Sequence, residues 1–107
     1  HKQLLGLMGC TWKVRSEGAW RLMEENAPGW QSLVIPLLKD TAREVRWNVA
    51  RILGTRGDAK AVSALSAGVK DEDPFVAAWC RWAVCKLEAK GGCKKPNMDL
   101  RNGKTGP

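Results

Sequence analysis

Val45, Val49, Ile52 and Leu53 fall at helical spacing along residues 44–54, and Glu44, Trp47, Asn48 and Arg51 stand between them. On a helix the two sets form separate stripes, centred roughly 130° apart. The first stripe reads as core and the second as an outward face. The same periodicity recurs in "DAKAVSALSAGVK", residues 58–70, where Val62, Leu65 and Val69 are spaced for one helix face and Asp58 suits an N-cap. "DEDP" then interrupts the pattern. Pro74 fits the first turn of a further helix that runs to about Ala89 and stops at Gly91-Gly92. In "PGWQSLVIPLLKD" a helix starts near Pro28, and Pro36 inside it predicts a kink or an early end. Gly54 and Gly57 are placed to close the helix that follows. No stretch alternates as a half-buried strand does, so the chain reads as all-α.

The helices repeat. "KVRSEGAWRLM" from Lys13, "EVRWNVARILG" from Glu44 and "FVAAWCRWAVC" from Phe75 align at a period of 31 residues on Val14, Val45 and Val76. Arg15 matches Arg46, Ala19 matches Ala50, and Leu22 matches Leu53 and Val84. Lys39-Asp40 recurs as Lys70-Asp71. Each unit reads as two helices, with boundaries at about 1–26, 27–57 and 58–89, followed by a tail over 90–107. The three valines are expected to be equivalent and buried. The first helix of unit one is short, about His1 to Met8, and its Leu4, Leu5, Leu7 and Met8 are expected to be exposed.

Two-helix units with "LLKD…EVR…A…LG…GD..AV..L" resemble HEAT repeats, most closely the short bacterial and archaeal HEAT-like class also found in phycobilin lyases. The resemblance covers residues 1–89. It implies an α-solenoid of three helix pairs in which Arg15 pairs with Asp40 and Arg46 with Asp71. Unit three departs from the pattern at Ala77, where the family has Arg, and unit one at Gly9, where it has Asp. The fold alone does not give the function, because such units serve as scaffolds, receptors and a few enzymes.

In HEAT-like proteins the outward face of the second helix lines the concave surface. Carried across the repeat, that face gives one row Trp20–Arg51–Trp82 and another Lys13–Glu44–Phe75, with Trp47 and Trp79 between them and Trp12 at the edge. Trp30 is the exception and is expected to pack. Trp and Arg concentrate interface energy, and an exposed apolar patch generally has a partner. The expected partner site is therefore Trp20, Glu44, Trp47, Arg51, Phe75, Trp79 and Trp82, with Arg51 held between Trp20 and Trp82 by cation–π contacts. The expected function is non-enzymatic protein or peptide binding. Open solenoid ends would also allow homo-oligomers.

Charge and cysteines modify this picture only at the edges. The chain carries +7, of which residues 1–89 contribute +3 and the tail 90–107 contributes +4. That balance keeps two alternatives in view. One is nucleic-acid binding, remotely like the alkylpurine DNA glycosylases built from HEAT-like repeats. The other is a small cationic or flat ligand, with Trp walls and Glu17, Glu24 or Glu44. Nucleic acid would need a basic stripe along the groove rather than a basic tail. Cys10, Cys80, Cys85 and Cys93 form no C-x-x-C pair and the one His is terminal, so no metal or cofactor site is expected. Cys80 reads as a small core residue and Cys85 as structural. The cysteine count suggests a reducing, cytoplasmic setting. No apolar run reaches the roughly 20 residues of a membrane span.

Overall fold

The structure, a computed structural model, describes residues 11–96. Five α-helices and two 3₁₀ turns lie among them, with no strand. The expected helix over residues 1–8, with its exposed leucines, and most of the tail fall outside the described residues.

Helix α1 spans Trp12–Glu24. Thr11 caps it by accepting the Val14 N–H at 3.2 Å. Asn26, at φ 49°, ends it, with the Ala27 N–H returning to the Leu22 carbonyl at 3.1 Å. Asn tolerates this left-handed position better than most residues. Helix α2 spans Trp30–Val34. It passes into a 3₁₀ turn over Ile35–Lys39, with Pro36 in its first positions. Pro36 has no N–H to continue the α ladder, so the early end read from sequence takes this form. Helix α3 spans Arg43–Arg56. Asp58 accepts the Lys60 N–H at 2.9 Å and opens a 3₁₀ turn, Ala59–Ala61, before α4, Val62–Gly68. Helix α5 spans Pro74–Leu87. Asp73 caps it through the N–H groups of Phe75 and Val76. Ala89 at φ 57° provides its left-handed exit, so the helix stops before Gly91 and Gly92.

Helix α3 lies at the centre, packed on α1 and α5, with α4 against α5 and the Ile35–Lys39 turn against α3 and α4. Leu22, Val34, Val45, Val49, Ile52, Leu53, Leu65 and Val76 are almost wholly buried. Each such side chain contributes about 1.5–3 kcal/mol by leaving water. Gly54 does not close α3, as the sequence suggested. It lies inside the helix, where a Cβ would stand 2.5 Å from the Trp82 ring and 2.9 Å from the Ala83 backbone. Glycine here is what lets α3 and α5 approach.

Val45 and Val76 are buried as expected, but Val14 is 42% exposed. Each of the first two follows the first helix of its own unit. For Val14 that place in the sequence belongs to residues 1–8, outside the described residues.

The Arg–Asp ladder is present. Arg15 donates to both carboxylate oxygens of Asp40, at 2.8 and 3.0 Å. Arg46 does the same to Asp71, at 2.9 and 3.3 Å. Both pairs span 25 residues and one inter-unit boundary. Each Asp also accepts the backbone N–H two residues on, Ala42 for Asp40 and Asp73 for Asp71, both at 2.9 Å. The carboxylate thus shapes the turn into its own unit's second helix while holding the unit before it. A further inter-unit pair, Arg43 with Asp73, lies beside the second rung.

Cys85 and Cys93 form a disulfide with Cα atoms 5.7 Å apart. The sequence reading made Cys85 structural but did not pair it with Cys93. Position explains the bond. The Schellman-type exit of α5, in which the Lys90 N–H reaches the Cys85 carbonyl at 3.1 Å, turns the chain back alongside the last helical turn. The start of the tail is thereby fastened to α5.

Candidate functional site

The seven candidate residues come from three consecutive second helices. Trp20 is on α1, Glu44, Trp47 and Arg51 on α3, and Phe75, Trp79 and Trp82 on α5. The structure brings them into one cluster. Trp47 stacks on Trp79 with ring centroids 6.2 Å apart and packs edge-on to Phe75 at 5.1 Å. Trp79 in turn meets Trp82 edge-on at 5.2 Å. The Glu44 carboxylate accepts the Trp47 indole N–H at 2.9 Å and pairs with Arg43.

Their exposure differs from expectation. Phe75 is 0% exposed, Trp79 4%, Trp47 5% and Trp82 8%. These four rings form the inter-unit packing on this side of the array, and the large apolar patch read from the sequence is not there. Trp30 packs, as expected, at 8%. The cause lies in the arrangement of the units. Equivalent residues of a repeat point in the same direction and meet only where a long side chain lies over its neighbour, as Arg51 does over Trp20. The side chain that faces back toward the previous unit comes from the other flank of the helix, one turn earlier. Trp20 thus donates its indole N–H to Asn48 at 3.5 Å across 28 residues. Trp47 meets Phe75, and Gly54 meets Trp82, at the same offset. Rings expected side by side in solvent close on the neighbouring helix instead.

Arg51 is what remains outside. Its guanidinium carbon lies 5.3 Å from the Trp20 ring centroid and 5.7 Å from that of Trp79. The second ring is therefore Trp79, where the sequence reading had Trp82. Arg51 is exposed and Trp20 half-buried. Among the described residues no acid pairs with Arg51. Rings engage the faces of a guanidinium and leave its in-plane N–H donors for an external oxygen. Asn48 was absent from the candidates, yet it links the helices here: it accepts from Trp20 and donates to the Glu44 carbonyl at 2.7 Å. A buried Asn on the same stripe as Arg51 was the available signal.

Among the described residues, no group of three His, Cys, Asp or Glu is placed to hold a metal ion. Burial, with the Asp71 charge, pushes the Cys80 thiol up to about 12 against a smaller opposing effect of Arg81. It stays protonated and is no nucleophile. Near the other edge, an open groove of about 990 Å³ runs between the Ile35–Lys39 turn and α4. None of the candidate residues lines it.

Stacked helix pairs joined by a repeated Arg–Asp contact define an α-solenoid, a class built from consecutive two-helix units. The family model for HEAT repeats matches residues 3–85, and the chain belongs to that family. HEAT repeats are generally protein-interaction and scaffold modules. Neither the comparison with curated proteins nor that with solved structures gave a match. Among the described residues no helix is long and apolar enough to cross a membrane.

Proposed function

We propose that this chain is a non-enzymatic module that binds a protein or peptide segment on the face made by its second helices, with Arg51 as the principal contact. The observation that carries the reading is the position of Arg51, exposed and held between Trp20 and Trp79, with no acid pairing with it among the described residues. An Arg pre-oriented in this way loses little side-chain entropy when it meets a carboxylate or a backbone carbonyl. Trp47, Phe75, Trp79 and Trp82 support the contact from behind, and Glu44 fixes Trp47. The packing of the rings on one another speaks against a cage for a small cationic ligand, which needs open ring faces. The cytoplasmic expectation came from the cysteine count, whereas a disulfide such as Cys85–Cys93 belongs with oxidising surroundings.

The test compares wild type with Arg51→Ala and with the Trp20→Ala/Arg51→Ala double variant as affinity baits, alongside their melting curves. Proteins retained by wild type and lost from both variants, with the melting temperature of Arg51→Ala near-unchanged, are the expected result. Identical retention by all three baits would refute the reading.

A further inference from the structure

A recess of about 410 Å³ lies at the C-terminal end of the array, between α5 and the segment fastened to it by the disulfide. Arg81, Trp82 and Cys85 form its helical wall, and Cys93, Lys94 and Lys95 the opposite one. Among the described residues, three cations line it and no acid does. Among the described residues no carboxylate pairs with Arg81, Lys94 or Lys95, and all three are exposed. The nearby Glu88 is engaged by Lys90 at 3.1 Å. The fold therefore concentrates like charge in a concavity, which raises the local affinity for anions.

We infer that this recess is a second binding site and that it takes an acidic protein segment, a run of Asp or Glu side chains. Three features favour carboxylates on a peptide over a phosphate backbone. The cations of the recess lie at one end of the array, whereas α1 at the other end exposes Glu17 and Glu24 among Lys13 and Arg21, a mixed surface and not a continued basic stripe. A nucleic-acid strand following the array would meet that opposing charge, and it needs a basic stripe along its track. Single strands also need open aromatic faces for their bases. Trp82, the aromatic residue of the recess, is 8% exposed and packed edge-on against Trp79. The recess is small, about 410 Å³, which suits a few side-chain carboxylates better than a run of nucleotides. It shares no cation with the Arg51 contact, so the two sites stand or fall separately.

The disulfide is part of the site. Without the Cys85–Cys93 bond, nothing covalent would hold Lys94 and Lys95 opposite Arg81.

The probe is a fluorescein-labelled hexaglutamate peptide, followed by anisotropy, with a labelled oligothymidylate as comparison. The triple variant Arg81→Gln/Lys94→Gln/Lys95→Gln is expected to bind the peptide at least about tenfold more weakly, with an unchanged melting curve, because each exposed pair contributes only modestly. Cys93→Ser is expected to weaken binding in the same direction. Lys60→Gln, which removes an exposed cation outside both proposed sites, is expected to leave it unaltered. Binding to wild type should also fall as sodium chloride is raised. Equal affinity in wild type and triple variant, no binding to wild type, or tighter binding of the oligothymidylate would each overturn the inference.

Discussion

Arg51 lies over the ring of Trp79, at 5.7 Å, and not over that of Trp82, which is its equivalent in the next unit. In a stack of parallel second helices, equivalence and adjacency are different relations. Equivalent residues share a direction and touch only where a long side chain reaches across, as Arg51 reaches Trp20, whereas pairs such as Arg51 and Trp79 come from opposite flanks. A double-mutant cycle on stability separates the two. Arg51→Ala combined with Trp79→Leu should show a coupling of about 0.5–1 kcal/mol, the range of an exposed cation–π contact. Arg51→Ala combined with Trp82→Leu should be close to additive. Chemical denaturation of the three single and two double variants and wild type provides the measurement, and a larger coupling to Trp82 would reverse the geometry.

The same distinction explains what could be read from the sequence. The helices and the break at Pro36 follow from local chemistry plus one period, and the Arg15–Asp40 and Arg46–Asp71 pairs from the resemblance to HEAT repeats. The burial of Trp47 and Trp82 does not. Exposure depends on how far one helix leans onto the next, and a period of 31 residues does not encode that stagger. Gly54 was legible as a special position, but helix ends and close helix contacts both favour glycine, and only the position of the Trp82 ring decides between them. The Cys85–Cys93 bond depends on the left-handed turn at Ala89, where the sequence has no glycine to announce it.

Gly54→Ala should destabilise the fold, although the same exchange in an exposed helix usually gains about 1 kcal/mol. The added methyl would press on the Trp82 ring and on the Ala83 backbone, neither of which can swing away. Forced movement of packed groups costs typically about 1–3 kcal/mol. Denaturant midpoints give the sign directly, and a stabilised variant would mean that α3 and α5 are less close.

Asp73 predicts a specific response to acid. Burial tends to raise its pKa, but the hydrogen bond from Arg43, the Val76 and Phe75 N–H groups and the Arg43 charge outweigh this and hold the carboxyl below its ordinary 3.8. A carboxyl depressed by folding contributes stability that is complete above its unfolded pKa and is lost as pH falls through the folded value. Asp73→Asn keeps the helix cap, since Asn caps as well as Asp, and removes the charge. The variant should be less stable than wild type at neutral pH, and the gap should narrow below about pH 4. Parallel stability curves for the two proteins across that range would show that the Arg43–Asp73 pair contributes nothing in solution.

The indole N–H groups of Trp47 and Trp79 have different fates, which allows a comparison free of most ring-size effects. Trp47 donates to Glu44 at 2.9 Å. Trp79 stacks on the same ring, yet its indole N–H is buried without a partner among the described residues. An unpaired buried donor costs about 1–3 kcal/mol, and a paired one contributes about 0.5–1.5 kcal/mol, more when its acceptor is charged. Replacing Trp by Phe at either site removes a similar volume of ring and leaves a similar gap. At position 79 the exchange also removes an unsatisfied group, whereas at position 47 it leaves the Glu44 oxygen without its donor. Trp47→Phe should therefore destabilise by about 1–3 kcal/mol more than Trp79→Phe, as read from urea unfolding at neutral pH. Truncation to Ala should cost about 3–5 kcal/mol at both positions, because both rings are core. If Trp79→Phe proves the more damaging, its N–H is paired in solution. If Trp47→Ala barely alters the melting curve, the ring is exposed after all, and the apolar face read from the sequence is restored.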